Sequence, residues 1–362
     1  MRNYIHRFKS SMDSAFLQNA DGNAVSRRNA VVAGTMEAIV LGMTTGIFLT
    51  GLILNVLAAE PAAVRNSYLG LIFSISFLAR SIQAVVPFIV KRIKTWPLFY
   101  RLTRGSYYLL QGPVMIVLLN LPVDGISKAN GILIVVFMSE MLFFLANPLL
   151  CKWYLYNVPN ASRPDWFSGQ QLLVAGCTTL TVILSSFILD RFKLGGNFLV
   201  GLFVLRFAAL VPGLFEFRAN KRVKMPAENL VAEPGLTETL KSMRGNPAYL
   251  SNLLISCLFA FAVMFPGQYF AAYLLTNLSV SYTFISMMSV ISVPMLLFAM
   301  PFWLCSVQRF GWYIPFIIIL GVFGFVHVML GFVIKETIWL YIIAMVITQF
   351  TSPGTNLISG GL

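Results

Sequence analysis

Charged residues are scarce in this sequence. Only 11% of its 362 residues are Asp, Glu, Lys or Arg, whereas a typical soluble domain has about 25%. So few charges cannot cover a water-facing surface of this size, which excludes a soluble globular protein. Apolar residues make up 58% of the chain, and the mean hydropathy is +0.79. This composition is typical of a protein that crosses the membrane several times.

Histidine, cysteine and acidic residues are also few. The chain has 2 His, 4 Cys and 13 Asp or Glu, and no two acidic residues lie within four positions of each other. An integral membrane transferase would need a cluster of such groups near the membrane interface for acid–base or metal chemistry. The cysteines lack the close spacing of a metal site. We therefore expect no enzymatic activity, no catalytic residue, no metal and no cofactor.

Basic residues exceed acidic ones, and the formal net charge is +13. They lie in loops beside apolar segments rather than in a basic domain, so we do not expect a nucleic-acid partner. Counted between the apolar segments, 19 Lys or Arg fall on one side of the expected membrane and 5 on the other. Because basic loops stay in the cytoplasm, this bias predicts a cytoplasmic N-terminus, and we expect a multi-pass protein of the plasma membrane.

Ten apolar segments are long enough to cross a bilayer, which takes about 20 residues. They must be helical, because lipid offers no hydrogen-bond partner to an open backbone. The predicted fold class is therefore an all-α, polytopic helical bundle. The segments are numbered spans 1 to 10 and cover 30–58, 67–90, 98–120, 130–151, 168–189, 196–216, 248–275, 282–306, 311–334 and 337–359.

One long polar stretch, 215–246, separates six spans from four. It divides the chain into a cytoplasmic tail at 1–29, a six-helix half at 30–216, a cytoplasmic linker at 217–247 and a partial second half at 248–362. Apolar residues at helical spacing predict a short amphipathic helix over 236–244 within the linker. Ser67-Tyr68 opens span 2 and Ser281-Tyr282 opens span 8, each followed by a basic turn. Parallel six-helix repeats joined by a linker are how one large class of transporters is built.

Three short motifs carry a resemblance to a known family. They are Val158-Pro159 with Arg163 and Phe167-Ser168 between spans 4 and 5, Gln308-Arg309-Phe310-Gly311 between spans 8 and 9, and Lys91-Arg92 after span 2. With the topology, they resemble the major facilitator superfamily (MFS) of secondary transporters over nearly the whole chain. The resemblance implies gating-loop roles for Lys91, Arg92, Arg163, Gln308, Arg309 and Gly311.

Several positions depart from that family pattern. Gln308 and Lys91 stand where the family's turns have Asp, which puts the usual pairing between the halves in doubt. Span 5 lacks the Gly-Pro motif common in drug/proton antiporters. Four spans after the linker, instead of six, lead us to expect a sequence that stops before two further helices, although a ten-helix protein is the alternative.

Four charged residues lie well inside their spans, away from the ends, where such groups cost several kcal/mol and indicate a functional site. They are Glu37, Arg80, Glu140 and Arg206. Arg80 and Glu140 each lie 11 residues from the same membrane edge, about 16 Å deep, so they can pair. Either a Glu exchanges a proton or Arg80 binds an anionic substrate group, or the pair is static and fixes helix packing. For Arg206 we expect a packing or snorkelling role.

The resemblance also implies that spans 1, 4, 7 and 10 line a central cavity. The polar candidates there for substrate contact or coupling, beside Glu37, Arg80 and Glu140, are Asn147, Gln268, Tyr269, Tyr273 and Gln349. Amides and phenols suit hydroxylated or zwitterionic ligands. The resemblance therefore predicts secondary active transport of a small molecule by alternating access, by a monomer in the lipid bilayer, with the proton as the candidate coupling ion. A transporter-like sensor or scaffold, and an integral membrane transferase, are the alternatives.

Overall fold

The computed structural model describes residues 23–86, 96–159, 163–224, 241, 244–247, 250–251, 254, 269–311 and 313–361. Within these ranges the chain is helical and contains no β-strand, as predicted. Seven helices are long and apolar enough to cross a membrane. They correspond to spans 1, 2, 4, 5, 6, 9 and 10 and run Ala24–Val56, Ala62–Gln83, Gly125–Tyr156, Gly169–Leu194, Phe198–Asn220, Tyr313–Gly331 and Ile338–Thr355.

The other three predicted spans are partly or irregularly described. Span 3 is helical over Trp96–Leu109, Leu110–Val114 and Met115–Leu119. Span 8 is helical over Tyr282–Met287, Met288–Ile291 and Ser292–Phe310. Of span 7, a helix over 269–276 is described at its end. Most of span 7 and most of the predicted amphipathic helix at 236–244 lie outside the described residues.

Most helices extend past the apolar stretch that predicted them. Span 4 forms a helix of 32 residues, Gly125–Tyr156, about 48 Å long, whereas the hydrocarbon core is about 30 Å thick. Span 5 likewise has 32 residues, Arg163–Leu194. The polar ends of these helices continue beyond the apolar layer, so hydropathy alone underestimates helix length.

Span 1 is broken in the middle. Its helices Ala24–Thr44 and Ile47–Val56 are separated at Gly46, whose φ is 59° and ψ −126°. Gly42 and Gly46 have the four-residue spacing of a small-residue pair, which predicts close helix approach at both. Only Gly42 has that role, because a Cβ there would meet Val182 of span 5 at 3.2 Å. A Cβ on Gly46 would meet nothing within 4 Å, so Gly46 serves the backbone conformation instead.

The repeated Ser-Tyr dipeptide has two different roles. Ser281 is the N-cap of the helix Tyr282–Met287 and accepts a hydrogen bond from the backbone N–H of Phe284 at 3.1 Å. Ser67 lies inside the helix Ala62–Arg80, where its hydroxyl donates to the carbonyl of Ala63. The match between the halves at this dipeptide therefore does not extend to helix capping.

The chain divides into two compact units, Met1–Gly235 and Leu236–Leu362, with the division inside the predicted linker. In the first unit, span 1 packs against spans 5 and 6, and span 4 packs against spans 2 and 3. In the second unit, spans 8 and 9 pack against span 10. There the Trp303 indole donates to the carbonyl of Phe350 at 2.9 Å, and the ring lies against Gly354.

Candidate functional site

A network of polar side chains lies buried inside the first unit, among spans 1, 3, 4 and 6. Its members are Glu37 of span 1, Tyr100 and Arg104 of span 3, Tyr154 of span 4, and Glu216 and Asn220 of span 6. We refer to it as the Arg104 network. The side chains of Arg104 and Glu216 are 0% exposed, whereas that of Glu37 keeps 18% exposure. One carboxylate of the network is therefore partly exposed, and the other is fully enclosed by the protein.

Helical spacing brings these groups together. Tyr100 and Arg104 are four residues apart on span 3, and Glu216 and Asn220 are four apart on span 6. Residues at this spacing share one helix face. Span 6 packs along span 1 and also contacts span 3, so the two polar faces meet beside Glu37.

Arg104 interacts with two carboxylates. Its Nη2 donates to Glu37 Oε2 at 2.8 Å, and its Nε lies 3.7 Å from Glu216 Oε1. The first distance is that of a charge-assisted hydrogen bond, and the second is an ionic contact without one. The guanidinium also lies over the Phe143 ring, 4.2 Å from its centroid. Because arginine keeps its charge in proteins, the network holds one permanent positive charge and two groups that can be neutralised.

Glu216 and Asn220 are held by phenols. Tyr100 Oη donates to Glu216 Oε1 at 3.2 Å, and Asn220 Nδ2 donates to Tyr100 Oη at 2.8 Å and to Glu216 Oε1 at 3.2 Å. Tyr154 Oη donates to Asn220 Oδ1 at 2.7 Å. Aromatic contacts fix Tyr100, whose ring lies 5.9 Å from that of Trp153. Glu216 Oε2 is buried without a hydrogen-bond partner among the described residues.

An aromatic pair on span 4 leads from the Arg104 network to the predicted Arg80–Glu140 pair. Phe143 and Phe144 contact each other edge to face at 5.3 Å. Arg104 lies over the first ring, and Arg80 lies 5.2 Å from the centroid of the second. Arg80 acts electrostatically on Glu140, which is half-buried. The edge-to-face ring pair therefore has one arginine over each ring, and these two cation–π contacts connect the two sites.

The remaining cavity candidates are placed in different parts of the chain. Asn147 is half-buried on span 4, and Gln349 is half-buried on span 10. Tyr273 donates its hydroxyl to the carbonyl of Val333 at 3.0 Å, and Tyr269 is half-buried near it on span 7. Gln268 lies outside the described residues.

The gating-loop candidates have clear backbone roles where the structure describes them. Arg163 donates to the carbonyls of Leu155 and Val158 at 3.2 and 3.3 Å, so it closes the C-terminal end of span 4. Gly311 follows the span 8 helix with φ 71°, a conformation that favours glycine. Arg309 lies over Phe310. Lys91, Arg92 and the side chain of Gln308 lie outside the described residues.

Sequence reasoning missed most of the Arg104 network. We counted Arg101 and Arg104 with the cytoplasmic loops in the charge count, although both fall near the start of predicted span 3, whose helix begins at Trp96. Glu216 lay at the edge of predicted span 6, whereas the helix continues to Asn220. The four-residue spacing of Tyr100 with Arg104 and of Glu216 with Asn220 was the available signal. It placed two polar pairs at the same end of the bundle.

The network has no features of a metal centre or hydrolytic site. Across the described part of the chain, no group of three or more His, Cys, Asp or Glu could hold a metal ion. The chemistry available to the network is exchange of protons and of ion-pair partners. A buried guanidinium beside two carboxylates is suited to that exchange, because each change of protonation alters which side chains are paired.

Comparison with known proteins identifies structures with a similar fold. No family model matches the sequence, and no curated protein matches it in sequence. The structure is similar to that of a D-xylose-proton symporter, with a TM-score of 0.67 and 14% identity, over 93% of this chain and 81% of that one. It is also similar to two structures of the nucleoside transporter NupG, each at 11% identity. The mutant structure has a TM-score of 0.65 over 92% of this chain and 81% of that one. The other has a TM-score of 0.60 over 91% of this chain and 80% of that one. The chain is thus a multi-pass integral membrane protein with the fold of the MFS transporters.

Proposed function

We propose that the protein is a secondary active transporter that moves a small hydrophilic molecule by alternating access, coupled to protons at the Glu37–Arg104 pair. The observation that carries the proposal is the asymmetry of this pair. Arg104 is fully buried, whereas Glu37, at 2.8 Å, keeps part of its side chain exposed. A carboxylate with access to water beside a permanent buried charge can gain and lose a proton. The fold supports transport as the setting for that change.

The coupling follows from how Arg104 is shared. When Glu37 is ionised, it holds the guanidinium and ties span 1 to span 3. When Glu37 takes up a proton, the remaining partner of Arg104 is Glu216 at 3.7 Å, which belongs to span 6. Protonation therefore changes which helices are joined by an ion pair. Leaving Arg104 with no partner at all would cost about 3–5 kcal/mol, and Glu216 limits that cost.

The substrate class is proposed from the candidate residues and from the names of the structural neighbours. Asn147 and Gln349 offer amides, and Tyr269 and Tyr273 offer phenols, which suit hydroxyl groups. The neighbours are named for D-xylose and for nucleosides. We therefore propose a sugar or nucleoside as substrate, with the Arg80–Glu140 pair and Gln268 as further contacts.

The test is uptake into proteoliposomes. We would supply radiolabelled D-xylose, uridine or adenosine with and without an inward proton gradient. For any probe that is transported, the gradient should drive accumulation at least about tenfold above equilibration. E37Q should retain exchange of labelled for unlabelled solute but lose this accumulation, because exchange needs no net proton movement. E336Q is the matched control, since Glu336 is exposed between spans 9 and 10, and it should behave like the wild type.

Three outcomes would contradict the proposal. Gradient-driven accumulation that survives E37Q unchanged would make the Glu37–Arg104 pair a static packing element. Binding of a probe without any transport would favour a transporter-like sensor. Chemical conversion of a probe in the liposomes would point to an integral membrane enzyme.

The orientation and assembly belong to the same proposal. We propose a cytoplasmic N-terminus and linker, a plasma-membrane location and a monomer, with the six-helix half at 30–216 moving against the part after 248. The charge bias survives the correction of Arg101 and Arg104, since 17 basic residues still lie on the proposed cytoplasmic side against 5 opposite. A protease-cleavable tag at the N-terminus, tested in sealed right-side-out vesicles, should be protected.

A further inference from the structure

Arg206, in the middle of span 6, is buried without a carboxylate partner among the described residues. It is 2% exposed, which excludes the snorkelling role that we considered. Its Nη1 donates to the backbone carbonyl of Gln111 at 2.6 Å and to Gln111 Oε1 at 3.0 Å. Its Nη2 lies 3.5 Å from the carbonyl oxygen of Thr44. A buried charge is costly, so its placement against two backbones calls for a structural reason.

The first of these backbone segments contains the break in span 1. In a continuous helix, the Thr44 carbonyl would accept from the N–H of residue 48. Here the N–H of Phe48 donates to Thr45 instead, at 3.3 Å, because the chain turns through the positive φ of Gly46. The Thr44 carbonyl thereby loses its donor within the helix. The guanidinium of Arg206 faces this carbonyl, at the long end of hydrogen-bonding distance.

The second backbone segment is the π-helical turn in span 3. Leu110–Val114 forms a π-helical turn that contains Pro113. Proline has no N–H and its ring displaces the carbonyl four residues earlier, so the regular ladder of hydrogen bonds is interrupted there. Arg206 supplies two hydrogen bonds to Gln111 inside this turn. The Gln111 amide in turn donates to Ser139 Oγ at 2.7 Å, which extends the contact to span 4.

We propose that Arg206 is a positioning residue, the pivot of a hinge at which the break of span 1 and the π turn of span 3 are held together. One planar guanidinium with several donors can serve two backbones at once, which a lysine cannot do with the same geometry. The hinge divides span 1 into a half that carries Glu37 and a half that does not. Its use in transport rests on the proposed function, but the hinge itself does not.

Hydrogen exchange of the purified protein in lipid nanodiscs tests this without any substrate. In R206M, the backbone amides of 44–50 and of 109–115, apart from Pro113, should exchange at least about tenfold faster than in the wild type. Both segments lose a hydrogen bond from a charged group to a backbone carbonyl and should open more often. R206K keeps the positive charge but lacks the planar guanidinium with its several donors. In this variant the backbone amides should regain protection from exchange in only one of the two segments. R191M is the matched control, because Arg191 is exposed at the end of span 5 and its loss should change neither segment.

The outcomes separate a pivot from simple packing. Unchanged exchange in both segments of R206M would overturn the proposal, and so would full protection of both in R206K. Faster exchange over the whole bundle, without preference for the two segments, would mean that Arg206 merely stabilises the fold. If R206M gives no folded protein, R206K decides alone, because the proposal requires one segment to lose protection. A failed uptake assay would leave these results intact, so the two proposals can fail separately.

Discussion

The sharing of Arg104 between two carboxylates predicts a specific non-additivity of stability. In E37Q, Arg104 loses the negative charge of its partner at 2.8 Å, although the amide oxygen can still accept a weaker hydrogen bond, and it keeps Glu216 at 3.7 Å. The expected loss is about 1.5–3 kcal/mol in the free energy of unfolding, the range for a hydrogen bond to a charged group. In E216Q, Arg104 keeps Glu37, and the new amide oxygen can still accept from Tyr100 and Asn220. That variant should lose about 1 kcal/mol or less.

The double variant E37Q/E216Q removes both partners and leaves Arg104 buried and unpaired. Leaving a buried ion without a charged partner costs about 3–5 kcal/mol in total. The loss in the double variant should therefore exceed the sum of the two single losses by about 1 kcal/mol. Adding R104M to the double variant removes the unpaired charge and should recover at least about 2 kcal/mol.

The assay is equilibrium unfolding in mixed micelles, followed by intrinsic fluorescence, because Trp153 and Trp166 pack close to the network. The same cycle between Glu37 and Glu336 is the control and should be additive. Additivity of E37Q and E216Q within about 0.5 kcal/mol would refute the reasoning, since Glu216 would then contribute nothing to Arg104. A further loss of unfolding free energy on adding R104M would show that Arg104 stabilises the fold through its packing on Phe143 rather than through its charge.

Three further predictions concern single positions, each measured by thermal unfolding. Gly46→Ala should destabilise the protein by about 1–3 kcal/mol through its positive φ, whereas Gly105→Ala, in a regular helix with open space, should be neutral or stabilising. Asp124 caps the helix of span 4, and its hydrogen bond lowers the pKa of that carboxyl. The contribution of this cap to the free energy of unfolding should be complete above pH about 4 and be lost as the pH falls through the lowered pKa. In D124N the contribution of the cap should not depend on pH. Gly354→Ala should cost about 1–3 kcal/mol, because a Cβ there would lie 2.7 Å from the Trp303 ring.

The existence of the spans could be predicted from the sequence because lipid leaves the backbone few choices. An apolar run of sufficient length has to be helical, and this holds whatever the run packs against. The ends of the helices could not be predicted in the same way. Hydropathy detects where lipid ends, whereas the helix of span 4 continues to Tyr156, past the predicted end at residue 151, because its own hydrogen bonds and packing extend it.

The candidate site was only partly predictable, for a physical reason that Arg104 illustrates. An arginine near a span end is compatible both with a cytoplasmic loop and with a buried ion pair. The choice depends on partners from other helices, which a single sequence does not reveal. Glu37 and Glu140 were found because they stand alone in apolar surroundings. Arg104 and Glu216 were missed because they lie close to polar sequence, although they are more deeply buried than either.

Two arginines tie spans 1, 3 and 6 together at two levels. Arg104, from span 3, reaches span 1 at Glu37 and span 6 at Glu216. Arg206, from span 6, reaches span 3 at Gln111 and span 1 at Thr44. The two levels are seven residues apart on span 1, about 10 Å. The first tie contains carboxylates and can respond to a proton, whereas the second uses backbone and amide oxygens, which keep their charge at any ordinary pH. In the proposed mechanism, protonation of Glu37 would loosen one level while the other stays fixed, as a segment that moves about a hinge requires.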